Sequence, residues 1–375
     1  MRILFVTLVP IDSNESSAIR NNNLVRGLVD SGHSIEVLTT YASKNSALRS
    51  DIIIKYIYPN RNYEETRTKS TKSGSLFIKL GKNIYHKLSI YDSTVKFLKD
   101  ISIGLLESDY YDIVISSSDP VTSHLAVLKL KRQGLSWGKW IQYWGDPYVG
   151  DITRKSIYPE FVLRQVEEHL IKDADKIVYV SPFTLRRQKE LYPEKARVFN
   201  FLPIPYSEIE SSIVNNNLPF RIGYFGAYHS SVRNILPLYN ACCEMEGDIQ
   251  LLLVGNSDLN LSSKKNIIIR DRMQKDELKQ YELECDALVC VLNLKGSQLP
   301  GKIYHYAGTR KPILVLIDGD NRDEVRNYLS SFNRFNLSDN NESAIIDALK
   351  HLMLHREVSP CLELNPRVIA DKFIQ

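Results

Sequence analysis

The 375-residue chain has a mass of 43.1 kDa, with 43% hydrophobic and 25% charged residues. That length suits about two domains of ordinary globular make-up and excludes collagen-like, disordered and disulfide-scaffold proteins. Lys plus Arg exceeds Asp plus Glu by only four, too small a surplus for a surface that binds nucleic acid.

Residues 2–8 form a nearly continuous apolar run ending at Pro10, as expected of a strand buried on both faces. Leu24, Val25, Leu28 and Val29 then recur at helical spacing, Gly32-His33 stops the helix, and residues 35–40 read as a second strand. Further strands are expected over 52–57, 113–116, 140–144 and 177–181, with a helix over 160–171. The first half is therefore a doubly wound α/β sheet. Prolines 203 and 205 and the run Asn215-Asn216-Asn217 mark a connector. The rhythm then restarts, with strands over 221–225, 249–254, 266–269, 287–292 and 312–316. Helices follow over 235–246, 275–283, 302–308, 323–329 and 342–354. The expected architecture is two Rossmann-like domains, 1–205 and 217–356, facing each other across a cleft. A helix over about 357–375 is expected to pack back on the first domain.

Charge is unevenly spread. Residues 1–200 hold 29 Lys/Arg against 22 Asp/Glu, whereas residues 201–375 hold 19 against 22. The excess peaks over residues 55–99, with ten basic and three acidic side chains, which fits a solvated face or peripheral contact with an anionic membrane. Leu76, Phe77, Ile78, Leu80, Ile84, Tyr85 and Leu88 add an apolar side to that stretch. No uncharged apolar run reaches the ~18 residues of a transmembrane helix, and the opening run is too short for a secretory leader. Cys242, Cys243, Cys285, Cys290 and Cys361 lack CxxC spacing and read as reduced thiols. The chain is expected in the cytoplasm.

Two strand-to-helix junctions in the second half carry the strongest chemistry. After residues 221–225, Gly226 suits a tight turn, and Arg233 places a full charge near the start of the next helix, a combination suited to a diphosphate. In Pro300-Gly301-Lys302-Ile303-Tyr304-His305, Lys302 sits in a first helical turn, where a cation opposes the helix dipole and invites an anionic ligand. In the first half, His124 follows Ser116-Ser117-Ser118-Asp119-Pro120, and Asp146 follows a strand with aromatics on both sides. The latter setting suits a sugar. No EF-hand or paired-cysteine pattern is present, and no metal is expected. A nucleophile elbow of the Gly-x-Ser-x-Gly kind is absent too.

In order along the chain, several segments resemble GT-B fold glycosyltransferases of the family 4 type. They are residues 2–10, Ser31-Gly32-His33-Ser34, Trp144-Gly145-Asp146-Pro147, residues 174–181, residues 223–234, and Pro300-Gly301-Lys302 with Lys311-Pro312-Ile313. The resemblance implies a nucleotide-sugar donor on the second domain, a glycan or lipid-linked acceptor on the first, retention of configuration, and no metal. It implies that Gly226, Arg233, Gly301 and Lys302 hold the donor diphosphate, that His305 meets the ribose, and that His124 and Asp146 face the sugar or acceptor. Such sequences usually carry Glu where this chain has His305, and a second Glu where it has Ser297. A neutral imidazole offers one acceptor nitrogen where a carboxylate engages both ribose hydroxyls. The usual Gly-Gly after the first strand is replaced by Ser16-Ser17-Ala18. Two other readings stay open: a non-catalytic nucleotide- or glycan-binding subunit, and a sugar-nucleotide epimerase. A nicotinamide dehydrogenase is disfavoured, because no G-x-G-x-x-G follows the first strand.

Overall fold

Two parallel sheets organise the chain in a computed structural model that describes residues 1–13, 15–42, 50–62, 87–151, 154, 156–207, 219–273 and 275–375. The first compact unit comprises Met1–Ile204 with Pro366–Gln375, and the second Pro205–Asn365. Most of the basic, apolar stretch singled out for membrane contact, residues 63–86, lies outside the described residues.

In the first unit the strands are β1 (Arg2–Val6), β2 (Ser34–Ala42), β3 (Ile53–Asn62), β4 (Tyr110–Ser117), β5 (Ser136–Trp144), β6 (Lys176–Tyr179) and β7 (Phe199–Phe201). They pair in the order β3-β2-β1-β4-β5-β6-β7. β1 is central, with Ile3 beside Ile35 on one side and Ile113 on the other. Helices covering this sheet include α1 (Ser16–Asp30), α2 (Thr122–Arg132), α3 (Glu160–Ile171) and α4 (Pro182–Leu191). Ser181 caps α4 by accepting from Thr184 N, and Pro182 occupies a position where its missing N–H costs nothing.

The second sheet pairs as β10-β9-β8-β11-β12-β13. Its strands are β8 (Phe220–Phe225), β9 (Ile249–Val254), β10 (Ile267–Arg270), β11 (Ala287–Val291), β12 (Ile313–Ile317) and β13 (Asn336–Asp339). β11 and β12 are buried along their whole length, which is why they read as unbroken apolar runs. The helices are α5 (Leu236–Glu244), α6 (Lys275–Glu284), α7 (Lys302–Tyr306), α8 (Arg322–Ser330) and α9 (Glu342–Leu354). Asn341 caps α9 by accepting from Ala344 N at 3.0 Å.

The C-terminal helix is shorter than the stretch of about 357–375 expected from sequence. Residues 357–365 stay with the second unit, where Val358 N donates to Arg310 O and Cys361 N to Ala307 O. Pro366 then opens α10 (Pro366–Ile374), which packs on α1. Gly27 makes that contact possible, since a Cβ there would stand 2.1 Å from Pro366 O. Lys176, itself buried, donates to the terminal carbonyls of Phe373 and Lys372 at 2.9 and 3.3 Å, satisfying the negative end of α10.

Candidate functional site

Each sheet reverses its strand order once, between β1 and β4 in the first unit and between β8 and β11 in the second. At such a point the loops leaving the strand ends diverge in opposite directions and open a crevice, the usual ligand position of an open α/β sheet.

In the second unit, the loops after β8 and β11 are tied together. Leu294 N donates to Val232 O at 2.8 Å, and Arg233 bridges them with Nε on Asn293 Oδ1 and Nη1 on Ala227 O, both at 3.0 Å. Tyr224, near the end of β8, donates to the same Ala227 carbonyl at 2.9 Å. Gly319 brings the loop after β12 against this pair: at φ +86°, a Cβ there would lie 2.7 Å from Asn293 O. Asn340 closes the cluster, donating to Asn234 O at 2.8 Å and Asp318 Oδ2 at 2.7 Å.

Gly226 does not adopt the special conformation expected of it. Its φ is not positive, and a Cβ would meet nothing closer than Tyr224 Oη at 3.6 Å. The glycine that the turn requires is Gly255 after β9, where a Cβ would sit 2.0 Å from Gly226 O. Gly301 likewise has an ordinary helical backbone, φ −57°, at the start of α7.

Lys302 is placed differently from the sequence expectation. Its charge is already answered: Nζ donates to Glu282 Oε1 at 2.7 Å and to Tyr306 Oη at 2.9 Å, while Tyr306 donates to the same carboxylate oxygen at 2.7 Å. The partner comes from α6, twenty residues upstream, so no local pattern announced it. Burial and Glu282 push the Tyr306 phenol well above its ordinary range, which keeps it a donor. The Lys302 ammonium also lies 5.7 Å from the centre of the Phe225 ring, at the end of β8. Lys302 and Arg233 thus gather around the ends of β8 and β11. Both act on the buried Cys290 thiol, which burial pushes up to about 12 against their opposing pull. His305 is half-buried on α7 between the buried Tyr304 and Tyr306. Tyr304 is fixed in turn by a 2.9 Å hydroxyl contact with Tyr328.

In the first unit the switch point is built from buried polar groups. Arg20 projects from α1 with only 5% of its surface exposed, donates to Ser117 Oγ at 3.1 Å and to Ser118 O, and lies 4.8 Å from the Tyr143 ring centre. Gly145 is required beside it, because a Cβ would collide with Arg20 Nη1 at 1.7 Å. Asn21 joins β4 to the loop after β1, accepting from Ser117 Oγ at 2.7 Å and donating to Thr7 Oγ1 at 3.2 Å.

His124, which the resemblance turns toward the sugar or acceptor, lies inside this assembly, fully buried. Its ring stacks on Trp144 at 4.5 Å, and Nδ1 meets Ser116 Oγ at 2.7 Å, which also accepts from Trp140 Nε1 at 2.9 Å. Nε2 finds no hydrogen-bond partner among the described residues. Burial, with a further push from Arg20, lowers the imidazole to about 3, so it is neutral at physiological pH. Asp146 is half-buried just past Trp144. Its loop is held from below by Glu167 of α3, which accepts from Tyr148 N at 2.9 Å, Val149 N at 3.3 Å and Tyr192 Oη at 2.9 Å. Close by is Asp119, whose carboxyl is held well above the usual range by burial and then by the negative charge of Asp146, against Arg20.

The structure therefore brings Arg233 and Lys302 to one switch point, and sets Asp146 at the edge of the other with His124 behind it. Four residues escaped the sequence reading: Arg20, Asp119, Glu282 and Asn293. Arg20 left a signal, since it shares the i, i+4, i+8 stripe of Leu24 and Leu28, and a charge on a buried stripe calls for a polar reason. The others join only through folding. Chemically, the second unit offers two cations and loop amides for an anion, and the first the carboxyl groups of Asp119 and Asp146 for hydroxyl groups. Among the described residues, no group of three or more His, Cys, Asp and Glu side chains is placed to hold a metal ion.

No protein-family model matches the sequence, and no curated protein matches it. Solved structures do. Sucrose-phosphate synthase from Thermosynechococcus elongatus is 16% identical with a TM-score of 0.53, the alignment covering 100% of this chain and 94% of that one. Trehalose 6-phosphate synthase from Burkholderia multivorans is 10% identical with a TM-score of 0.58, covering 100% and 95%. Anabaena HepE, solved in complex with UDP and glucose, is 12% identical with a TM-score of 0.52, covering 99% and 95%. The likeness spans both units, and the fold is GT-B, as the sequence motifs implied.

Proposed function

We propose, from the GT-B fold and the charges at its switch points, that this chain is a glycosyltransferase. It moves a sugar from a nucleoside-diphosphate sugar to a hydroxyl of a glycan or lipid-linked glycan. The observation that carries the reading is the gathering of Arg233 and Lys302 at the ends of β8 and β11. HepE is solved with UDP-glucose and with UDP and glucose, which supports the donor class.

When the bond between the anomeric carbon and the diphosphate breaks, the leaving group gains negative charge. Arg233 and Lys302 oppose that charge where it develops, and the amides after Gly226 and Gly301 complete the seat. His305 takes the ribose. Asp146 and the neighbouring Asp119 receive hydroxyls of the sugar or acceptor. His124 acts as a positioning residue: its ring supports Trp144, the last residue before Gly145 and Asp146. The acceptor oxygen bonds to the anomeric carbon as the bond from that carbon to the diphosphate oxygen breaks, and the hydroxyl proton passes to the departing diphosphate. Retention of configuration and independence from metal follow from the family 4 resemblance. The same resemblance supports surface polysaccharide or glycoconjugate synthesis by a cytoplasmic protein, and the ten basic against three acidic side chains of residues 55–99 support peripheral membrane contact. No helix among the described residues is long and apolar enough to cross a membrane.

Thermal unfolding with UDP, GDP, dTDP, ADP or CMP, beside Arg233→Ala and Lys302→Ala, tests the reading. A ligand at about 100 times its Kd adds roughly 2.7 kcal/mol. One nucleotide should stabilise the wild type, and the variants should lose the effect. Stabilisation by none, with no transfer from any sugar nucleotide, overturns it.

A further inference from the structure

We propose that Glu282 is a built-in counter-ion that holds Lys302 in place while cancelling its charge, so that the site releases a free nucleoside diphosphate instead of retaining it. The proposal rests on the reading that Arg233 and Lys302 face a diphosphate.

Three observations lead there. Glu282 Oε1 stands 2.7 Å from Lys302 Nζ, and the Glu282 side chain is only 20% exposed, so solvent weakens the pair little. Tyr306 locks the arrangement, touching both the carboxylate and the ammonium, which leaves Lys302 few ways to turn. Yet Lys302 keeps 35% of its side chain exposed, and two of its three ammonium protons are used, so one remains for a ligand without breaking the pair. Among the described residues no carboxylate pairs with Arg233, which donates to the neutral Asn293 side chain and the Ala227 carbonyl.

The consequence follows from charge. A diphosphate still joined to its sugar carries one negative charge fewer than the diphosphate after transfer. A lysine fully charged and unpaired would hold the more charged product tighter than the donor and slow its departure. A lysine paired with a fixed carboxylate still donates a hydrogen bond to either, but the net attraction that distinguishes them is reduced. Glu282 is thus a positioning residue that acts through Lys302 on the balance between donor and product.

The test titrates full-length wild type, E282Q and K302M/E282Q with inorganic diphosphate, with the nucleoside diphosphate that stabilises the wild type, and with its sugar nucleotide, at low and high salt. E282Q should bind inorganic diphosphate about tenfold tighter, the difference shrinking at high salt. The gain should be larger for the nucleoside diphosphate than for its sugar nucleotide, and should vanish in K302M/E282Q. E282M is measured in the same way should E282Q fail to fold. Unchanged or weaker binding of inorganic diphosphate by a folded variant overturns the proposal and leaves Glu282 as a simple strut. The transferase reading fails separately: if E282Q gains affinity for inorganic diphosphate but neither protein binds any nucleotide, the counter-ion stands and the donor assignment falls.

Discussion

The two switch points solve opposite problems. In the first unit the polar groups are withdrawn from water: Arg20, Asn21, Ser116, Ser117 and His124 are all buried, and Arg20 donates to a hydroxyl and a carbonyl. In the second unit Arg233 and Lys302 stay half-exposed, and their neighbours are a carboxamide, a carbonyl, a phenol and one carboxylate. A buried polar network holds its shape because every misplacement leaves a donor or acceptor unsatisfied. The exposed Arg233 keeps its charge available to an incoming anion, whereas Lys302 shares its charge with Glu282 and keeps one ammonium proton for a ligand. The first arrangement suits presentation of a rigid loop to hydroxyl groups, and the second suits a ligand whose charge changes during reaction.

The sharpest way to break this contrast is to remove the second unit's charge. Arg233→Ala with Lys302→Ala should lower transfer from a sugar nucleotide by about 10³-fold or more, with only a modest loss of unfolding temperature from the missing loop bridge and the unpaired Glu282. Steady-state kinetics beside a thermal scan checks both halves of that statement. Retained transfer would move the site elsewhere.

Shape matters next. Gly255→Ala forces a methyl group to within 2.0 Å of Gly226 O and should cost about 3 kcal/mol or more, seen as a lower midpoint in urea unfolding. The same change at Gly226, where a Cβ meets only Tyr224 Oη at 3.6 Å, should cost well under about 1 kcal/mol. Equal effects at the two positions would refute the assignment of the tight approach to Gly255.

His124→Ala probes the first unit. Loss of a fully buried ring stacked on Trp144 should destabilise by about 2–4 kcal/mol through the cavity it leaves. Nucleotide affinity at a temperature where the variant is folded should remain that of the wild type. A large change in affinity with intact stability would make His124 a ligand-contacting residue after all.

The last effect is a pH dependence, spread over more than two pH units. Burial raises Glu167 from 4.5 to about 7 despite the hydrogen bonds it accepts. Between those values the folded state holds a proton that the unfolded state has released, so stability falls as pH rises from about 4.5 to 7. The full effect is about 3 kcal/mol at about 1.4 kcal/mol per unit. Glu167→Gln should flatten this part of the stability curve, which denaturant unfolding across pH 4.5–8 would read. An unchanged slope would show that the carboxylate is ionised in the fold and paid for by its three donors.

Much of this molecule was legible before folding. The apolar runs of β1, β8, β9, β11 and β12 declare buried parallel strands, because a strand covered on both faces has no polar side to alternate with. Short elements with mixed composition, β7 and β13, were not legible, since three or four residues carry too little pattern to separate strand from loop.

The site divides along the same line. Positions just past strand ends, Asp146, Gly226 and Arg233, were visible because a βα unit places its loops in register with the chain. Local pattern also marked Lys302, yet its partner Glu282 comes from a helix twenty residues away, and the pairing changes what the lysine means. His124, expected to face sugar or acceptor, is buried in the core, because burial depends on what a neighbouring strand brings alongside. Sequence by itself determined the periodicity, the two-unit α/β plan and the loop positions, which are all properties of a few consecutive residues. Which charges are neutralised, which glycine bears the close approach and which histidine is hidden needed the folded chain, since each depends on atoms far apart in sequence and a few ångströms apart in space.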